Sequence, residues 1–241
     1  MKYYIPIKKY NLALCLSGRL DNIKYCYNNW KKNILKYYNI DIFMHCSLPS
    51  DKNKEYIEKY IKPKRIVYYD LGENTKLKDL LKLQIYRIYK CNLMKNEYMK
   101  KYNIKYDYII KSRPDIVYNQ ILNLDFINDT SKLFIPVNHK FYNSPNIYNL
   151  GITDQLFIGT NYIMDIACNF HIFLKKYNYI SCMIPEIKFK KYLKDNYINF
   201  IYFKYDWDIY YYKKLIYRGF LSKKYLKKIP QILNKTCFIN L

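Results

Sequence analysis

The stretch "YDYIIKSRPDIVY", residues 106–118, decides how the rest of the chain is read. A short apolar run, Tyr108-Ile109-Ile110, stops at Arg113-Pro114-Asp115. Pro114 fixes its own φ and has no N–H for a ladder, so a buried strand should end here with both charged side chains at its carboxyl tip. A carboxylate at such a tip can hold a divalent cation bridging a diphosphate, and a neighbouring guanidinium offsets the same charge directly. An Arg–Asp pair that merely closes the strand end satisfies the same residues. The residue type is informative, because only five of the 42 basic residues are Arg.

On either side of this stretch, apolar runs of strand length alternate with helical periodicity. "NLALCL" (11–16), "IDIFMHC" (40–46) and "RIVYYD" (65–70) read as three strands before it, and "KLFIPV" (132–137) and "DQLFIGT" (154–160) as two after it. Asp21 is placed to cap a helix whose apolar face is Ile23, Tyr27, Trp30, Ile34 and Tyr37. A second, polar helix opens at Pro49-Ser50-Asp51. The longest helix runs from about Lys76 to Tyr102, with Leu77, Leu81, Ile88, Cys91 and Tyr98 on its inner stripe. Gln84 falls on that stripe and Arg87 on its border. Residues 161–177 also read as helical.

This alternation predicts an α/β fold: a single domain with a largely parallel central sheet and helices on both faces. At 241 residues, 51% of them hydrophobic, the chain can bury one sizeable core. We place residues 1–205 in that domain and read 206–241 as a basic, aromatic helical segment packed on it. Residues 206–230 could also meet an anionic membrane surface. No apolar run approaches the length of a membrane-spanning helix, and the N-terminus lacks a secretory pattern.

The seven Cys (15, 26, 46, 91, 168, 182 and 237) are scattered and contain no Cys-x-x-Cys. They read as reduced core thiols, which points to a cytoplasmic location. The net charge of +23 favours anionic ligands. The lysines are spread along the whole length, which argues against a dedicated nucleic-acid patch.

Ligands of open α/β sheets gather at the carboxyl ends of the strands. That rule selects Ser17-Gly18-Arg19, His45-Cys46, Asp70 and Arg113-Pro114-Asp115. Gly18 leaves room for a phosphate near the backbone, and Arg19 could clamp its oxygens. Equally, Gly18 could serve only the turn, with Arg19 in solvent. His45, His139 and His171 have no metal-ligand spacing; His139, in the polar loop 138–153, is a candidate for substrate contact.

Taken together, "ALCLSGRLDNIKYCYNNWKKNIL", "DIFMHC", "YDYIIKSRPDIVY", "TDQLFIGT" and "IPEIKFKKYLKDN" resemble a glycosyltransferase-like family of the GT-A type, found in bacteria and large DNA viruses. The resemblance covers roughly residues 11–200. It implies transfer of a sugar (hexosyl or pentosyl) from a nucleotide-diphosphate donor to a hydroxyl of a glycan, protein or lipid acceptor. If viral, such a protein would work in the host cytoplasm.

The family's metal-holding Asp-x-Asp motif matches Arg113-Pro114-Asp115 by position, with Asp115 as the second Asp and Arg113 in place of the first. The resemblance thus implies Mn or Mg at Asp115 while removing one of its usual ligands. It also implies donor contacts from Ser17, Gly18, Arg19, Gln84, Arg87 and Gln155, and catalytic roles for Asp154 and Glu186. Asp154 at a strand start could instead bind a loop amide. Glu186 after Pro185 also suits a helix N-terminus without any catalysis. The alternative class is a non-catalytic binding module, either nucleic-acid-associated or a transferase fold that has lost activity.

Overall fold

The computed structural model describes residues 10–70, 77–137, 155–177, 185–205, 207–211 and 214–216. Strand β1 (Asn11–Gly18) is buried along almost its whole length. It lies between β2 (Asn39–Ser47) and β4 (Tyr108–Ser112), parallel to both. A strand covered on both faces must be apolar at every position, which is why "NLALCL" reads as a continuous run and not an alternation.

β3 (Arg65–Tyr69) adds parallel to β2 at the edge. On the other side β7 (Leu156–Gly159) runs antiparallel to β4, followed by β6 (Leu133–Val137) and β8 (Phe200–Lys204). The order is therefore β3-β2-β1-β4-β7-β6-β8. The sheet is parallel from β3 to β4 and again between β6 and β8, with β7 reversed between the two blocks.

Alternation along β1 separates two cores. Leu12, Leu14 and Leu16 meet Ile23, Cys26 and Trp30 of helix α1 (Ile23–Trp30), Ile34 in the π-turn after it, and Ile57 and Ile61. Ala13 and Cys15 face the opposite layer: helix α3 (Leu77–Tyr102), through Ile85, Ile88, Cys91 and Met94, and the helix Asn161–Cys168. Helices thus cover both faces, as expected. A short helix α2 (Asp51–Tyr56) starts at Ser50, which holds the extended backbone of an N-cap.

α3 is tied to the sheet by its thiol: Cys91 Sγ donates to the backbone oxygens of Phe43 (3.5 Å) and Leu16 (3.6 Å). Further along α3, Tyr98 packs on Phe43 and Glu97 pairs with Arg65 at the start of β3. α3 is therefore antiparallel to the strands, and its N-terminal half lies over their carboxyl ends.

Three expectations need correction. Asp21 does not cap α1; the N-cap position is Asn22, whose side chain makes no capping hydrogen bond, and Asp21 pairs with Arg19. Ile116–Tyr118, unassigned in the sequence, is a strand, β5, of a second sheet. The supposed C-terminal helix begins instead as β9 (Trp207–Tyr211) and β10 (Lys214–Ile216), with β9 antiparallel to β5. The segment from 207 does pack on the domain, but through backbone pairing; residues 217–241 lie outside the described ones.

Candidate functional site

The strand order reverses between β1 and β4, whose neighbours lie on opposite sides, so their carboxyl ends flank the crevice where such sheets take ligands. Gly18 closes β1 with φ +147°, and a Cβ built there would lie 3.0 Å from Pro114 Cδ. Only a residue without a side chain permits this approach of the two strand tips. Gly18→Ala should therefore cost about 1–3 kcal/mol, seen as a lower urea midpoint with an unchanged slope.

Arg113 and Asp115 meet as the sequence suggested. Arg113 Nε donates to Asp115 Oδ1 at 2.8 Å and Nη2 to Oδ2 at 2.5 Å, a two-pronged fork. Asp115 is buried and Arg113 half-buried. Leu156 pairs with Ser112, so Gln155 stands one register step further, opposite Arg113. The carboxylate is already matched by a guanidinium, and among the described residues no three His, Cys, Asp or Glu side chains converge as metal ligands. These residues do not compose a donor set for Mn or Mg, and no step below is routed through a cation.

The more unusual arrangement lies beneath the N-terminal half of α3. Among the described residues nine buried side-chain N or O atoms lack a hydrogen-bond partner. Five of them belong to four residues of this one region: Ser17 Oγ, His45 Nδ1, Gln84 Nε2, and Arg87 Nε and Nη2. Ser17 and His45 are register partners on neighbouring strands and lie on the α3 side of the sheet. Gln84 and Arg87, three residues apart, share one face of α3.

Arg87 is only 4% exposed, and its guanidinium lies 5.5 Å from the centre of the Tyr69 ring. Burial pushes its pKa down, and the groups that oppose this are Cys46 and Tyr69, not a carboxylate. A buried cation without an anion is among the costlier states of a fold. Such a cluster of unmet donors is what a site for an absent anion looks like. Burial, followed by the Arg87 charge, also lowers His45 to about 4, which leaves its ring neutral at physiological pH.

The remaining expectations fall as follows. Arg19 points outward, nearly half exposed, and binds Asp21 at 2.8 Å. Asp70 closes β3 at the surface. Glu186 is half-buried in the first turn of the helix Pro185–Asp195, where an acidic residue suits the helix dipole. Asp154, His139 and the loop 138–153 lie outside the described residues.

His45 is the residue that sequence reasoning left without a role. Its strand-end position was visible, but its nearness to Arg87 depends on how α3 is rotated over the sheet. The five described cysteines are buried and free, as expected. No described helix is long and apolar enough to cross a membrane.

No protein-family model matches the chain, and no curated protein does. Among solved structures the chain is similar to the apo-form glycosyltransferase GlyE of Streptococcus pneumoniae TIGR4, with 9% identity and a TM-score of 0.47. That similarity covers 80% of this chain and 45% of GlyE, so the chain spans less than half the length of the structure it matches.

Proposed function

We propose that this chain is a glycosyltransferase that moves a sugar from a nucleotide-diphosphate donor to an acceptor hydroxyl of a glycan, protein or lipid. The observation that carries this reading is Arg87: a buried guanidinium at the carboxyl end of the sheet, with an unmet donor on Gln84 of the same helix face and another on Ser17, next to His45 on the neighbouring strand. A diphosphate supplies the oxygens these groups lack. Gly18 lets Pro114 close on the end of β1 at the crevice, and Arg113 and Gln155 flank it from β4 and β7. Arg19, at the rim, is assigned to the nucleotide.

In the reaction the acceptor oxygen attacks the anomeric carbon, and the bond from that carbon to the diphosphate oxygen breaks. The nucleoside diphosphate leaves with the electron pair. Arg87, and Arg113 at longer range, stabilise the charge that grows on it. The hydroxyl proton passes to a carboxylate, for which Asp154 and Glu186 are the candidates. Seating both reactants in one crevice removes the entropy cost of their encounter.

A thermal-shift series with UDP, GDP, CDP and a DNA duplex, each with and without Mn, tests the reading. One nucleoside diphosphate is expected to raise Tm, by about 2.7 kcal/mol of added stability at a hundredfold excess over Kd. Arg87→Met should abolish the rise. Stabilisation by DNA alone, lost steeply with salt, would support a nucleic-acid-binding module instead.

A further inference from the structure

His45 has a geometry of its own within this site. It is 6% exposed, and its Nδ1 has no hydrogen-bond partner. Its ring stands edge-on to Tyr86 (centroids 6.1 Å apart) and tilted against Tyr69 (6.4 Å), the same Tyr69 that carries the Arg87 guanidinium. The groups facing it are Arg87, Lys90 and Tyr86 from α3, Tyr69 from β3 and the Ser17 hydroxyl from β1. Two of these are cations, and none is a carboxylate. While the pocket is empty, burial and those two cations keep a proton off the imidazole.

An anion reverses that balance. We propose that a diphosphate seated on Arg87 draws one proton from solvent onto His45 Nδ1, which then donates a hydrogen bond to a phosphate oxygen. This rests on the reading that the Arg87 pocket takes the donor's diphosphate, and it adds a proton to each binding event. Binding then strengthens as pH falls through the mildly acidic range. Release of the product diphosphate is favoured as pH rises, because the same proton leaves with it.

The empty protein has the opposite dependence. His45 is held near 4 when folded and near 6.5 when unfolded, so the unfolded chain binds more protons between those values. Stability should fall as pH drops from 6.5 toward 4, and saturating diphosphate should weaken or reverse that fall.

Calorimetric titration of inorganic pyrophosphate at pH 6, in two buffers of different ionisation enthalpy, reads the proton directly. Wild type is expected to take up more protons than His45→Asn, by as much as about one per site. Its Kd should also weaken with pH more steeply than that of the variant, up to about tenfold per unit. A melting curve of His45→Asn without ligand, losing less stability below pH 6.5 than wild type while His171, also lowered by burial, keeps its own share, shows that the variant is folded and that His45 carries part of the loss. Equal proton uptake by both proteins, with binding still lost in Arg87→Met, would overturn the role of His45 and leave the diphosphate site intact. Binding that Arg87→Met does not change, or no binding at all, would overturn both.

Discussion

Arg87→Met is expected to melt higher than the wild-type protein without ligand and to lose the response to nucleoside diphosphates. Most buried Arg substitutions destabilise, because they break an ion pair. Here, among the described residues, no carboxylate is paired with the guanidinium, two of its nitrogens are buried without partners, and the favourable contact is the Tyr69 ring at 5.5 Å. Met fills comparable volume without a charge to desolvate. Replacing buried charge with well-packed apolar side chains gains about 1–4 kcal/mol in proteins where it has been done. At roughly 2–4 °C per kcal/mol for a domain of this size, the gain should be visible in a simple melt. A lower Tm with the ligand response intact would mean that Arg87 is structural and that the pocket lies elsewhere. A gain in stability coupled to a loss of binding is the trade-off expected where a site stores an unmet charge for its ligand.

The second large effect lies on the same helix, two turns further on. Lys95 is fully buried, yet well compensated: it bonds Asn161 Oδ1 and lies 3.7 Å from Asp165 Oδ1. Asp165 also accepts from Asn92 and Asn96, both at 2.7 Å, and from Asn161 at 3.1 Å. Asp165→Ala removes the common acceptor of this network and leaves an ammonium without a counter-charge. Breaking a buried pair costs about 3–5 kcal/mol. Asp165 is about a third exposed (34%), so water screens part of the loss and the lower figure is expected. Urea unfolding measures it. The double variant Lys95→Met with Asp165→Ala should recover much of the stability, because the orphaned cation goes too. Failure of the double variant to recover would place the cost in the three Asn donors instead.

Arg87 and Lys95 are thus contrasting cases: two buried cations on one helix, one answered by the protein and one not. Sequence could not distinguish them, since neither position is apolar. The structural reason is the spacing of the inner stripe. Ile85, Ile88, Cys91 and Met94 recur every three residues, and a three-residue step drifts around a helix of 3.6 residues per turn. Lys95 nonetheless keeps to the row of Ile88, Cys91 and Tyr98 at steps of three and four residues, and Arg87 lies on its border, so both cations are carried to the inner side. Of the expected stripe, Ile88 and Cys91 are buried and Tyr98 packs against the same core, while the side chains of Leu77 and Leu81 lie outside the described ones.

Where the physics is local, the sequence was legible. β1, β2 and β4 are buried on both faces and bounded by Gly, Ser or Pro, so their apolar runs mark them directly. The meeting of Arg113 and Asp115 followed from Pro114. β5 was missed because three residues carry no periodicity, and because Asn29, Asn33 and Trp30 of distant α1 and its π-turn supply the hydrogen bonds that hold it. The hairpin β9–β10 read as helix because "DWDIYYYKKLI" mixes Tyr and Lys at helical intervals. Its pairing with β5 is a contact between residues some ninety positions apart.

That pairing gives the corner at Pro114 a mechanical meaning. The chain leaves the seven-stranded sheet at Ser112 and enters the three-stranded one at Ile116, so Arg113, Pro114 and Asp115 form the only covalent span directly joining β4 to β5. The chain passes between the two sheets a second time, from Lys204 at the end of β8 to Trp207 at the start of β9. The small sheet is thus tethered to the large one at two points, one of them the guanidinium–carboxylate corner at the mouth of the crevice.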